Sequence, residues 1–236
     1  MTARPTVVPH VTTWSGEKPV RLRELTVRPD GKGLGYRHEQ PGDRDAHGVL
    51  WVRLGGEPGT GRPTYRVMHS ERQRRTMLDL RCQICAGPAS RTAQGWLFLV
   101  AHTEQQIAEA GGTEDMLTMQ PPLCLPCADT AVRQCPRLTE QYTAVRSRKP
   151  VLYGAWGSLY RPDPHGRLAE LGDGTVLPYS DPAVRWLLAA QLVRELRRTT
   201  VIPLPTELPP TPPTPVLRQP AAAPGIPVPR RPAGRA

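Results

Sequence analysis

The sequence lacks several features that particular classes of protein require. It contains no asparagine, a single phenylalanine, and no apolar run approaching the roughly 20 residues that a membrane helix needs. Its first residues also lack the apolar core of a secretory signal peptide. We therefore expect a cytoplasmic protein without a membrane partner.

Lysine is scarce, whereas arginine is abundant. Only Lys18, Lys32 and Lys149 are lysines among 31 basic residues, and the formal net charge is +10. A charge of this sign and size is typical of proteins that bind DNA or RNA. The preference for arginine, together with 29 prolines and no asparagine, is also typical of a GC-rich genome. Charge alone therefore leaves a nucleic-acid partner open.

Four of the five cysteines form two C-x-x-C pairs. Cys82 and Cys85 make the first pair, and Cys124 and Cys127 make the second. Four thiolates complete the tetrahedral coordination of Zn²⁺. Two disulfides or a redox pair would use the same residues, but a redox pair needs no second pair, and cytoplasmic thiols are reduced. The spacing therefore favours one structural zinc ion held by these four cysteines.

The residues around the two pairs indicate how such a site would be built. An apolar stripe with helical spacing follows the second pair: Ala128, Ala131, Val132 and Cys135. Pro126 suits the first turn of this helix, and residues 96–100 have the composition of a strand. A knuckle, a strand or hairpin, and a helix with two ligands resemble a treble-clef zinc finger over about residues 80–137. Cys135 lies on the apolar stripe, so we predict a buried side chain rather than a ligand.

The whole chain is predicted to have an α+β fold in which small β-strands surround the zinc module. Residues 1–19 are expected to be an extended N-terminal segment, and residues 20–200 to form the zinc-stabilised domain. The proline-rich residues 201–236 are expected to be a disordered tail. Proline-rich segments are also recognised by other proteins, so the tail suggests a protein partner.

An amphipathic helix is predicted at the end of the domain. Asp181 and Pro182 form a strong helix start, with a capping residue followed by proline in the first turn. The next residues place apolar side chains on one helical face: Val184, Leu187, Leu188, Leu192 and Leu196. Before this helix, residues 168–177 predict a β-hairpin, with its turn at the Gly-Asp-Gly sequence 172–174.

A basic helix is predicted directly before the first cysteine pair. Ser70 suits its N-cap, and Gln73, three residues later, would complete a capping box. Four arginines lie on this helix or just after it: Arg72, Arg74, Arg75 and Arg81. They form either a solvated face, the usual fate of clustered charges, or a surface that contacts the phosphates of DNA or RNA.

The treble clef is also the scaffold of HNH-type nucleases, so an enzyme has to be considered. Such a site needs a histidine that activates water, further metal ligands and usually an asparagine. His102 is the candidate histidine, but Val100 and Ala101 stand before it where an Asp-His pair is expected. We therefore predict a non-catalytic zinc protein that binds nucleic acid through the arginine helix. A protein–protein adaptor is the alternative, and a nuclease is a distant third.

Three segments carry a further resemblance. They are residues 81–89, residues 121–127 with 135–136, and residues 181–186 with 191–197. They resemble a group of uncharacterised actinobacterial proteins over about residues 20–200. This resemblance implies no activity.

Overall fold

The computed structural model describes residues 6–19 and 24–204. The predicted disordered tail therefore lies outside the described residues, apart from its first four positions. The described residues form a mixed α+β structure made mostly of strands, in agreement with the predicted class. None of the described helices has the length and apolar character needed to cross a bilayer.

The described residues form many strands, four α-helices and the 3-10 helix named below. In chain order, the strands are β1 Thr12–Trp14, β2 Lys18–Pro19, β3 Leu25–Val27, β4 Leu34–Tyr36, β5 Leu50–Trp51, β6 Leu54–Gly55, β7 Pro63–Met68, β8 Arg91–Thr92, β9 Gly95–Val100, β10 Met116–Thr118, β11 Thr143–Pro162, β12 Leu168–Pro178 and β13 Leu187–Ile202. The helices are α1 Ser70–Leu78, α2 Glu104–Glu109, α3 Leu125–Gln134, α4 Pro136–Glu140 and the 3-10 helix Pro182–Trp186.

A seven-stranded sheet organises the fold, and its longest ladder joins β11 to β13. The strand order is β10-β13-β11-β9-β8, while β12 pairs with β11 and β5 pairs in parallel with β13. Two glycines of β11 permit the close approach of its neighbours. A Cβ atom at Gly154 would lie 1.9 Å from the Leu177 carbonyl oxygen, and one at Gly157 would lie 2.0 Å from that of Leu188. Strands near the beginning of the described chain form three further sheets of two strands each: β1-β7, β2-β6 and β3-β4.

The predicted C-terminal amphipathic helix is wrong beyond its first turn. Asp181 caps the start as predicted, because its side chain accepts a hydrogen bond of 2.7 Å from the Ala183 N–H. The chain then makes only a 3-10 turn and continues as β13. Consecutive residues of β13 are buried, because Leu187 packs in one apolar cluster with Met77 of α1 and Leu188 packs in another with Leu34 of β4. A strand buried on both faces loses its two-residue alternation, so its leucines imitate a helical pattern.

The predicted hairpin within residues 168–177 is also wrong. The turn lies upstream, where the Gly166 N–H donates to the Asp163 carbonyl at 2.9 Å and joins β11 to β12. The glycines at 172–174 lie instead inside the continuous strand β12. The register of β11 and β12 shifts beside Leu159, which pairs with Gly172. These glycines therefore accompany a β-bulge rather than a turn.

Helix α1 packs against β13, and its beginning differs from the predicted capping box. The N-cap is His69, whose Nδ1 accepts a hydrogen bond of 3.4 Å from the Arg72 N–H, and Ser70 is the first helical residue. Gln73 is fully buried. Its Nε2 donates to the Leu192 carbonyl at 3.0 Å, and its Oε1 accepts from the Leu192 N–H at 2.8 Å. Gln73 therefore anchors the helix to β13.

Two buried arginines connect the sheet to its neighbours, and neither pairs with a carboxylate among the described residues. Arg194 donates from Nε to the Met77 carbonyl at 2.9 Å and from Nη2 to the Leu78 carbonyl at 3.1 Å, at the C-terminus of α1. Arg146 donates from Nη1 to the Gly95 carbonyl at 2.9 Å. Burial lowers the pKa of Arg194 to about 10, so this side chain remains charged at neutral pH. The negative end of α1 stabilises that charge.

The N-terminal segment and the end of β13 both reach the cysteine region. The His10 N–H donates to the Ile84 carbonyl at 2.9 Å, and the Val11 N–H donates to the Gln83 carbonyl at 3.2 Å. Leu204 is buried in the same apolar cluster as Ile84. The folded domain therefore extends at least to Leu204, beyond the predicted boundary at residue 200.

Candidate metal centre

The first cysteine pair lies in a tight knuckle between α1 and β8. The Ala86 N–H donates to the Cys82 carbonyl at 2.8 Å, and the Cys82 N–H donates to the Gly87 carbonyl at 2.8 Å. Ala86 has a φ of 57°, which turns the backbone back on itself directly after Cys85. The knuckle therefore directs two cysteines, with two residues between them, toward one point.

The second pair lies at the start of α3. Cys124 is the N-cap, Pro126 occupies the first turn as predicted, and Cys127 follows within that turn. Ala128 and Ala131 are buried, so the predicted apolar stripe faces the core. The N-terminal end of a helix dipole favours negative charge, and thiolates at these positions gain from it.

Backbone hydrogen bonds bring the two pairs together. The Gln83 N–H donates to the Pro122 carbonyl at 3.1 Å. The Leu123 N–H donates to the Leu97 carbonyl at 2.9 Å, so the segment before α3 runs beside the hairpin of β8 and β9. The segment that contains α2 and β10 lies between the two pairs in the sequence. These hydrogen bonds nevertheless hold the two pairs close together in space.

The four sulfur atoms form one compact cluster. The Sγ atoms of the four predicted cysteines all lie within 4.8 Å of one another, and the Sγ atoms of Cys85 and Cys124 are 3.9 Å apart. Zinc–sulfur bonds of about 2.3 Å in a tetrahedron place neighbouring sulfurs about 3.8 Å apart. A disulfide would require about 2.05 Å, and all five cysteines are free thiols. The distances therefore fit a tetrahedral metal site.

The acid–base properties of the four thiols also fit a metal site. Hydrogen bonds from the Cys124 and Cys127 thiols lower the pKa of Cys82. The pKa of Cys127 is raised, because its thiol is hydrogen-bonded to Cys124 and to Cys82. Thiols this close cannot all ionise without a cation among them. A divalent metal ion would supply that charge, so the chemistry of the donor set also fits zinc.

The fifth cysteine does not belong to the cluster. Cys135 ends α3 and is half-buried, and the metal-ligand group found among the described residues contains only the other four cysteines. His102 lies after β9 with an exposed side chain, and its carbonyl accepts a hydrogen bond of 2.8 Å from Thr143 Oγ1. No described histidine joins the sulfur cluster.

Two of the four predicted nucleic-acid contacts are engaged inside the protein. Arg72 donates from Nη1 and Nη2 to both carboxylate oxygens of Glu17, at 2.5 and 2.8 Å. Burial alone would raise the pKa of Glu17, but the hydrogen bonds from Arg72 and from the Trp14 N–H hold it below its ordinary value. The guanidinium of Arg74 lies 4.7 Å from the centre of the Trp51 ring.

The other two predicted contacts face solvent. Arg75 leaves 74% of its side chain exposed, and its Nη1 lies 3.7 Å from Glu71. Arg81 is exposed and donates from Nε to the Ala86 carbonyl of the knuckle at 2.6 Å. The four arginines therefore do not form one continuous solvent-facing surface. Sequence reasoning missed Glu17 as a partner of Arg72, since no local pattern links residues 55 positions apart.

No family model, no curated protein and no solved structure matches this chain. The function therefore has to be inferred from the geometry of the site itself.

Proposed function

We propose that the protein is a non-catalytic binding protein that is stabilised by one zinc ion at Cys82, Cys85, Cys124 and Cys127. The observation that carries the proposal is the compact cluster of four sulfur atoms. A closed set of four cysteines leaves no coordination position for water, which a catalytic zinc would need. The order of knuckle, hairpin and ligand-bearing helix supports a treble-clef arrangement of this module.

The residues around the site explain what the metal would stabilise. When bound, zinc supplies the positive charge that lets four thiolates coexist. Cys82 and Leu123 are fully buried in one apolar cluster, so each cysteine pair is already fixed to the same small core. Zinc binding and the folding of this core are therefore expected to be coupled.

Elemental analysis of the purified full-length chain tests the metal directly. We expect one zinc per chain in the wild type and in Cys135→Ser, the matched control that removes the cysteine outside the cluster. Cys124→Ser should lose most of the zinc. A wild-type protein without zinc, in which all five thiols react freely, would refute the site.

The arginine contacts favour a protein partner over nucleic acid. Arg72 is neutralised by Glu17, and Arg74 is half-buried against Trp51 in the wall of a cavity, so an extended phosphate backbone would meet mainly the exposed Arg75 and Arg81. Two phosphate contacts would give a log–log salt slope of only about −2. An adaptor is therefore our first choice for the role of the domain.

A specific surface supports the adaptor. Tyr65 and Val67 are 45% and 49% exposed, and because they are two positions apart in β7 they lie on the same face of the strand. An apolar groove of about 210 Å³ is lined by Tyr65 together with Ile84 and Leu138. A surface of this kind suits the side chains of a protein ligand.

A pull-down from native lysate, with and without nuclease, separates the two roles. The adaptor predicts that a partner is retained after nuclease treatment by the wild type and lost by Val67→Ser. Nucleic-acid binding predicts loss of bound material after nuclease. Fluorescence anisotropy with duplex DNA at about 50 mM salt completes the test, because affinity that falls in Arg75→Gln/Arg81→Gln but not in the control Arg133→Gln/Arg137→Gln would restore the nucleic-acid role.

A further inference from the structure

A second candidate site lies on the face of α1 opposite to Arg72. This site does not depend on the zinc proposal. Ser70 and Arg74 are four residues apart, so they share one face of the helix. Both line a cavity of about 420 Å³. The rest of the wall includes the loop at Gln40 and Gly42, the Trp51 ring and the Asp43–Arg53 pair.

Two polar atoms on this wall lack the hydrogen bonds that they require. Ser70 is only 2% exposed, and its Oγ has no hydrogen-bond partner among the described residues. The Nη1 of Arg74 is likewise buried and without a partner there, although Nη2 lies 3.3 Å from the Gly42 carbonyl. Buried donors without acceptors are destabilising and are rare in folded proteins. Their occurrence on two residues that line one cavity points to an acceptor that is supplied by a ligand.

The beginning of α1 adds donors of the same kind. Ser70 is the first residue of this nine-residue helix, and the N–H groups of Ser70 and Glu71 have no acceptors within the helix, whereas that of Arg72 is capped by His69. The helix dipole makes this end positive. The side-chain guanidinium, the hydroxyl and the helix terminus therefore all favour an electron-rich, negatively charged group.

The charges around the cavity leave Arg74 as the uncompensated group. Arg53 and Asp43 neutralise each other through a bidentate ion pair. Glu71 lies at the rim, where it is 60% exposed and faces Arg75. No carboxylate among the described residues pairs with Arg74, which contacts only the Trp51 ring and the Gly42 carbonyl.

We propose that this cavity binds a small molecule through its phosphate group, with Ser70, Arg74 and the first turn of α1 as the donors. Helix N-termini with a neighbouring cation are common sites for phosphate. The cavity is larger than a phosphate ion requires and has the size of a small-molecule site, so the remainder of the ligand would lie along the loop of Gln40 and Gly42.

Calorimetric titration of the full-length protein with inorganic phosphate tests the proposal. Acetate at matched ionic strength serves as the control for a nonspecific charge effect. We expect saturable binding of phosphate, weakened about tenfold in Ser70→Ala and more in Arg74→Gln, since each change removes a donor to a charged ligand. The matched control Arg75→Gln, which removes the same charge from the neighbouring position, should bind phosphate within about twofold of the wild type.

Ser70→Ala keeps the proposal testable even if Arg74→Gln impairs folding. Its hydroxyl has no partner among the described residues, so its removal should leave the melting temperature unchanged or slightly higher in the absence of phosphate. Equal affinity of the wild type and Ser70→Ala for phosphate would overturn the site. Absence of saturable binding, or equal binding of acetate, would overturn it as well. Because zinc content is measured separately, failure here leaves the zinc proposal intact.

Discussion

The zinc module and the β11–β13 ladder are stabilised in different ways. The ladder runs from the Ala144–Ile202 pair to the Leu159–Leu187 pair, and its backbone groups satisfy one another along that length. The segments that carry the cysteines are joined by single backbone links, such as that between Leu123 and Leu97, and the four thiols repel one another once they ionise. One region is thus complete without a ligand, whereas the other needs a cation. Because of this difference, we expect metal removal to destabilise the cysteine region and to leave the β11–β13 ladder intact.

The largest effect is expected from Cys124→Ser. Loss of one of four ligands should destabilise the protein by at least about 3 kcal/mol, since structural zinc contributes on the order of 10 kcal/mol or more in small zinc-folded domains. Urea denaturation followed by circular dichroism measures the change. The control Cys135→Ser should cost less than about 1.5 kcal/mol. Equal losses in the two variants would show that the cluster has no special role.

Arg194→Met should weaken the sheet region without releasing zinc. The carbonyls of Met77 and Leu78 would lose their donor, and the C-terminus of α1 would lose its cation. We expect a loss of about 2–4 kcal/mol from these combined terms. Urea denaturation and zinc content should be measured on the same sample. Zinc loss in parallel with the loss of stability would mean that the two regions are not separable.

Glu17→Gln should produce a pH-dependent loss of stability. The pKa of Glu17 is lowered in the folded protein, so its contribution is complete above the ordinary carboxyl pKa of about 4.3 and disappears as the pH falls through the folded value. At neutral pH the variant leaves Arg72 without its carboxylate partner, which should cost about 3 kcal/mol. Melting temperatures of both proteins between pH 7 and pH 3 should converge at the acid end. A constant difference would contradict this account of the pair.

The smallest effect is expected from Arg75→Gln. The Arg75–Glu71 pair is long and exposed, so its loss should change the stability by less than about 0.5 kcal/mol. Urea denaturation of this variant and of Glu17→Gln under the same conditions compares an exposed ion pair with a buried one. Both pairs use an arginine of α1. A change as large as that of Glu17→Gln would show that the arginines of α1 are energetically equivalent, contrary to the structure.

The cluster of four cysteines was predictable because metal-ligand spacing is a local property. Two residues between ligands suffice to form a knuckle or a helical first turn, and Pro126 indicated which pair begins the helix. The contacts of the arginine helix were not predictable. Arg72 and Arg75 lie on the same helix with the same chemistry, yet Glu17, far away in sequence, determines that one is buried and the other exposed.

The C-terminal part of the fold shows a second limit. The cap at Asp181 was correct, but a helix and a strand buried on both faces can share one pattern of leucines. Only the pairing of β13 with β11, which begins more than 40 residues earlier, distinguishes them. Gln73 illustrates the same point, because its buried bonds to Leu192 replaced the local capping role that its spacing suggested.

Hydrogen–deuterium exchange with and without a zinc chelator tests the difference between the two regions most directly. The account predicts that chelation accelerates exchange in the knuckle of Cys82 and Cys85 and in the first turn of α3. Protection should persist in the paired segments of β11 and β13 around Ala155 and Leu192. Unchanged exchange at the cysteines, or equal acceleration in the sheet, would contradict it.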